Sequence, residues 1–321
     1  MNNDIEEAAQ SLAAVVGEIR KVVAGQQDVI DQAIAGLVSG GHVLVEGVPG
    51  LGKTLLVKAL ARTIGGSFAR IQFTPDLMPS DVTGHTLYDP ASGKFATRKG
   101  PIFAHFVIAD EVNRAPAKTQ AALLEVMQEA QVTIEGESHV LPQPFMVFAT
   151  QNPIEHEGTY PLPDAQLDRF LLNVRIGYPS PEDEIALTRQ VTTQQVGDRL
   201  SVDAVKPVLD PARVARLQSI AAGLTVDDAV LGYAVRLART TRDNAGLSRG
   251  AGPRASIALV RCARARALMS GRAFATPDDV KGVALAVLRH RVAVAPELEI
   301  EGRDADSVLK ELLAQVEAPR L

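Results

Sequence analysis

Residues 47–54, Gly47-Val48-Pro49-Gly50-Leu51-Gly52-Lys53-Thr54, carry the spacing GxxxxGK[ST]. Each residue type in that spacing has a chemical use. Glycines let several backbone N–H groups turn inward without side-chain obstruction. A helix opening at Lys53-Thr54-Leu55 offers its positive end to phosphate. Lys53 brings a charge for β- and γ-phosphates, and Thr54 a hydroxyl for Mg²⁺. A second stretch, FVIADEVNRA at 106–115, ends an apolar run in two adjacent acids, Asp110 and Glu111. Burying one carboxylate is costly and a second beside it adds repulsion, so a cation is expected at that place. If Asp110 ends the strand neighbouring the phosphate loop, it faces the Mg²⁺ held by Thr54. Glu111 then reaches a water in line with the γ-phosphate, as general base or orienter.

The elements that must position these groups follow from the hydrophobic pattern. Five short apolar runs, 42–46, 68–73, 103–109, 145–150 and 171–176, read as buried strands. Helical stretches at 53–64 and 116–130 separate some of them, which implies an α/β fold with a parallel sheet covered on both faces. Before them lie a helical run from residue 5, broken at Gly25 in VVAGQQ, and a second helix from 28 to 38 that stops at Gly40-Gly41. Residues 74–102 and 131–144 read as insertions, each holding a hairpin. After Pro179 only helices are expected, with hydroxyl caps at Ser180, Thr225 and Thr276. The boundary divides residues 1–178, the α/β domain, from 179–321, a helical domain.

The 321 residues carry a net charge of −5 and no Trp. That balance disfavours a nucleic-acid-wrapping role, because such domains are strongly basic and stack bases on aromatics. One cysteine, Cys262, admits no intrachain disulfide. No run is long and apolar enough for a membrane span and the start lacks a signal-peptide pattern, so a cytoplasmic protein is expected. The six histidines show no zinc spacing.

Three longer stretches, EGVPGLGKT, ADEVNRAPAKTQAALLEVMQE and ATQNPIEHEGTYPLPDAQLDRFLL, resemble the MoxR branch of the AAA+ ATPases, and the likeness extends from VVAGQ near 22 to HRVAVAPE near 297. The resemblance implies a P-loop AAA+ core with a five-stranded parallel sheet flanked by helices, then an all-helical lid. It implies ATP and Mg²⁺ as cofactors. Val23, Ala24 and Gly25 match the loop beside the adenine, Asn152 the polar sensor 1, and Arg169 the arginine finger that acts on a neighbouring subunit's nucleotide. Arg254 matches sensor 2, expected to reach the γ-phosphate in its own subunit. Arg114 is open between a phosphate-sensing or intersubunit role and a structural salt bridge. Residues 74–102 take the place of the helix-2 insert and 131–144 that of the hairpin before sensor 1. The family further implies a homo-oligomer, most often a hexamer, and chaperone-like remodelling, maturation or metal-cofactor insertion of a client protein. A von Willebrand factor A-domain protein is the expected partner. The alternative is an ATP-dependent binding switch with slow turnover.

Overall fold

The computed structural model describes residues 2–48, 50–90, 93–151, 159–192 and 201–319. Two helices come first, α1 (Asn2–Arg20) and α2 (Gln27–Val38). The α/β segment follows with β1 (Val43–Glu46), α3 (Lys53–Thr63) and β2 (Phe68–Gln72), then α4 (Pro79–Thr83) and the hairpin β3 (Gly84–Asp89) and β4 (Lys94–Lys99). Next are β5 (Phe106–Asp110), α5 (Ala117–Glu129), the hairpin β6 (Gln131–Ile134) and β7 (Glu137–Val140), β8 (Met146–Gln151), α6 (Asp164–Leu167) and β9 (Leu172–Arg175). The five expected strands form one sheet in the order β2-β5-β8-β1-β9, parallel throughout.

Alternation along these strands decides what covers each face. Val43, Val45, Ile108 and Phe148 pack with α1, α2 and α3. Leu44, Val107, Ala109 and Val147 pack on the other face with α5 and the β6–β7 hairpin. From β1 the chain crosses to the edge strand β2, then steps back through β5 and β8 and ends at β9 on the other flank of β1. The carboxyl ends of β1, β5 and β8 therefore share one rim, where open α/β sheets take ligands.

The remaining chain holds α7 (Pro181–Thr192), α8 (Pro211–Gly223), α9 (Asp228–Thr240), β10 (Leu247–Arg249), α10 (Pro253–Met269), α11 (Pro277–Leu288), β11 (Ala293–Val294), α12 (Pro296–Ile300) and α13 (Ala305–Gln315). The expectation of helices alone is corrected by the short antiparallel pair β10–β11. Three residues facing two gave too little alternation to read. A second correction concerns α9. Its cap is Asp227, whose side chain accepts from the Ala229 N–H, and not Thr225. The backbone of Thr225 is already engaged, donating to Ala273 O and accepting from Ala275 N–H. Helix α10 is lined with small buried residues, Ala255, Ala258, Ala263 and Ala265. These let it lie close against α9 and α11, and against α1 and α2 beside the sheet. Cys262 is buried on the same helix, and burial pushes its thiol up to about 11.

The start of α11 is the best-secured cap. Thr276 Oγ1 accepts from the Asp279 N–H, and the Asp279 carboxylate accepts from the Thr276 N–H and hydroxyl and from both Arg272 Nη atoms at 2.7 Å. Burial alone would raise the Asp279 carboxyl, but these hydrogen bonds outweigh it and hold the group below the usual carboxylate value. The folded chain thus binds this proton less tightly than the unfolded one. Its stabilising effect is present above about pH 4 and is lost as pH falls through the folded value. Asp279→Ala is expected to remove about 2 kcal/mol of stability, seen as a lower urea midpoint at unchanged slope, and to flatten the acid limb of the stability curve.

Candidate active site

Strand β1 delivers the chain from a buried interior to Gly47 at the ligand-binding rim. Gly50 and Gly52 have φ of +87° and +81°. A Cβ at either would meet open space, so it is the left-handed backbone that calls for glycine there. Lys53 opens α3, and its Nζ reaches back across the loop to Gly47 O at 2.7 Å. Burial pulls this amine below the ordinary lysine value, with Asp110 and Glu111 acting in the opposite direction. Strands β5 and β1 flank β8 in parallel, so the two acids that end β5 come out on the same rim as the loop. Thr54 follows as the second residue of α3 and Leu55 is buried beneath it.

The acid pair is held by groups from two neighbouring strands. Thr150 Oγ1 on β8 donates to Asp110 Oδ1 at 2.6 Å. Arg70 on β2 donates to Asp110 Oδ2 through Nε at 3.1 Å and Nη2 at 2.7 Å. The cation that the sequence required at this carboxylate is, in the chain by itself, a protein side chain. Glu111 adopts a left-handed φ of +57°, a strained backbone for a residue with a Cβ. Its N–H donates to Thr150 Oγ1 at 2.9 Å, so one hydroxyl serves both acids. Its Oε2 accepts from Gln72 Nε2 at 2.8 Å and lies 3.1 Å from Arg114 Nε, which gives Arg114 a local ion pair.

The stretch Val23–Gly25 is tied to the same rim. Val23 is buried, and a Cβ on Gly25 would fall 2.2 Å from Asp183 Oδ2 in the first turn of α7. Gln26 Nε2 donates to Leu51 O in the phosphate loop at 3.3 Å. Arg70, Gln72, Thr150 and Gln26 were missed in the sequence. For β2 a signal existed: FARIQ sets Arg70 and Gln72 two residues apart on one face of an edge strand. Pro49 and Asn152 lie outside the described residues.

Arg169 and Arg254 are not at this rim. Leu171 N–H donates to His42 O, which puts the loop 168–171 at the opposite end of β1 from Gly47. Arg254 Nη1 stands 3.6 Å from Asp168 Oδ2. Arg169, Arg254 and Arg261 face a cleft of about 280 Å³ with Gly40 and His42. Five residue steps of extended chain from His42 to Gly47 span roughly 16 Å. The expectation that Arg254 reaches the γ-phosphate of its own subunit is therefore corrected: α10 packs beside α1 and α2, which brings Arg254 to the far rim. Arg169 is exposed there, and the cleft is basic.

Matches to known proteins agree with this architecture. Residues 42–172 match the family model described as "ATPase family associated with various cellular activities (AAA)", and residues 239–312 match the AAA lid domain. The chain is 44% identical to Chaperone MoxR1 of Mycobacterium tuberculosis, over 97% of this chain and 83% of that one. It is 34% identical to Protein MoxR of Methylorubrum extorquens, over 88% of each. It also superposes on a crystal structure of a candidate ATPase from Cytophaga hutchinsonii with a TM-score of 0.90 at 39% identity, covering 99% of this chain and 98% of the other. With a five-stranded parallel sheet, a phosphate loop after β1 and a helical carboxyl-terminal region, the chain belongs to the MoxR family of AAA+ ATPases.

Proposed function

We propose that this protein hydrolyses ATP as a ring of identical subunits, most often six, and uses the cycle to remodel a client protein. Residues 1–178 act as the motor domain and residues 179–321 as its lid. One observation carries the reading: the phosphate loop and the acid pair occupy one rim, while Arg169 and Arg254 stand on the other. A single chain cannot complete the site, whereas one rim set against the next does.

In this reading the backbone N–H groups from Gly50 to Thr54 and the Lys53 amine cradle the triphosphate, and Val23–Gly25 bound the adenine. The Thr54 hydroxyl and an Asp110 carboxylate oxygen are hard oxygen donors of the kind Mg²⁺ prefers, directly or through water, and they fit that ion. Bound there, magnesium neutralises phosphate charge. Glu111, released from Gln72 and Arg114, orients the attacking water and accepts its proton. Asn152 holds the same water. Arg169 of the neighbour offers a planar, always-charged group to the oxygens of the transferred phosphoryl. Arg254 acts beside Arg169 on that same neighbouring nucleotide.

The remodelling role draws on the relative named as a chaperone. Insertion of a metal cofactor and a von Willebrand factor A-domain partner are the family's expectation, carried here as part of the proposal. So is a cytoplasmic location; among the described residues no helix is long and apolar enough to cross a membrane. The β3–β4 hairpin would meet the client, with Tyr88 and Phe95 paired across the strands at 5.3 Å and both exposed. The hold of Gln72 and Arg114 on Glu111 also favours a second reading, a binding switch in which turnover is a slow reset. Turnover far below about one per second that no client alters would favour the switch.

Glu111→Gln is expected to retain labelled ATP while turnover falls by about 10²–10⁴-fold. Arg169→Ala should bind ATP normally and lose roughly 10³-fold or more in kcat. Mixing the two variants should restore part of the activity, because hybrid interfaces pair an intact Glu111 with an intact Arg169. Arg254→Ala should be rescued by Glu111→Gln subunits in the same way. If Arg254 served its own subunit, the mixture would stay inactive.

A further inference from the structure

The short sequence Arg289-His290-Arg291, between α11 and β11, accounts for more contacts to the finger loop than any residue singled out so far. Arg291 is 3% exposed at its side chain. It donates through Nε to Asp168 Oδ1 at 2.8 Å, through Nη2 to Phe170 O at 2.6 Å and through Nη1 to Leu171 O at 3.1 Å. His290, kept neutral by burial, puts Nε2 3.1 Å from Phe170 O. Arg289 donates to Asn173 O at 2.8 Å. Three consecutive lid residues thus bind the backbone on both sides of the exposed Arg169. At the other end of the same segment, Arg249 on β10 pairs with Asp164 in α6.

Arg289 also belongs to a second network. Asp306 accepts from Arg289 Nε at 2.9 Å and Nη2 at 3.0 Å, and lies 3.4 Å from Arg175 Nη1. Arg175 in turn stands 3.5 Å from Glu46, the residue immediately before Gly47. Gln151 Nε2 donates to the other Glu46 oxygen at 2.6 Å. The strap that grips the finger loop is therefore joined through charged groups to the base of the chain's own phosphate loop.

We infer that Arg291 is a positioning residue: it fixes the loop 168–171 so that Arg169 is presented to the neighbouring subunit's nucleotide, and thereby makes finger placement depend on the lid. The geometry favours this over simple packing. The buried guanidinium keeps one bond inside the lid, from Nη1 to Val287 O in α11, and turns its other donors to Asp168 and to the carbonyls of the loop that carries one exposed arginine; the same carboxylate lies near Arg254, so both basic groups of that rim are set from one acid. The inference rests on the proposal that Arg169 acts across the subunit interface.

Lysine keeps the charge of Arg291 but loses the planar fork that holds three acceptors at once. A shift of about 1 Å in a catalytic group lowers rate by on the order of a hundredfold. Arg291→Lys is therefore expected to lose roughly that factor in kcat, with KM for ATP and retention of labelled ATP unchanged. Added Glu111→Gln subunits should raise its turnover well above the sum of the two alone. Arg169→Ala with Glu111→Gln runs in parallel. Recovery there, but none with Arg291→Lys, overturns the positioning role and leaves the trans finger standing. No recovery in either mixture removes the trans finger itself, and this inference with it. Near-normal kcat in Arg291→Lys also overturns it. Should that variant melt before assay temperature, Asp168→Asn, which keeps an acceptor and loses the charge, is read against the same outcomes.

Discussion

A carboxylate at the end of an apolar strand is the constraint around which the active rim is organised. Asp110 closes β5 behind four buried apolar residues and is itself nearly buried. A buried carboxylate needs hydrogen-bonding partners in place. Two neighbouring strands supply them, Thr150 from β8 and Arg70 from β2. The order β2-β5-β8 thus does more than close a sheet: it brings a hydroxyl and a guanidinium to the two oxygens of one acid. The Thr150 hydroxyl also takes the N–H of Glu111, which stabilises the left-handed turn that points the second acid away from the first. One hydroxyl thus both holds the left-handed turn at Glu111 and partners one oxygen of Asp110.

Because the sheet is parallel, its two ends differ chemically. The carboxyl ends gather the phosphate loop and the acids. The amino ends receive the loop 168–171 and the first turn of α10. Alanines on α10 allow it to lie against α1 and α2, and this docking carries the lid's Arg254 away from its own phosphate loop. The lid nonetheless touches both ends: Asp304 and Asp306 pair with Arg175 near Glu46, while Arg291 holds Asp168. The carboxyl-terminal helices thereby join the two ends of the sheet through charged contacts.

Sequence alone determined the residues that depend on local geometry. Gly47–Thr54 and the Asp110-Glu111 pair were legible because their chemistry needs fixed spacing along one chain, and the five strands because burial on both faces leaves continuous apolar runs. The capping of α11 by Thr276 was legible for the same reason, since donor and acceptor are three residues apart. Tertiary structure decided what depends on partners distant in the chain. Arg70 and Gln72 acquire their meaning only when β2 is set beside β5, forty residues later in the case of Arg70 and Asp110. The rim on which Arg254 stands was settled by helix packing, which no spacing in its own helix encodes. The Arg291–Asp168 pair is likewise invisible until 123 residues of separation are closed by the fold.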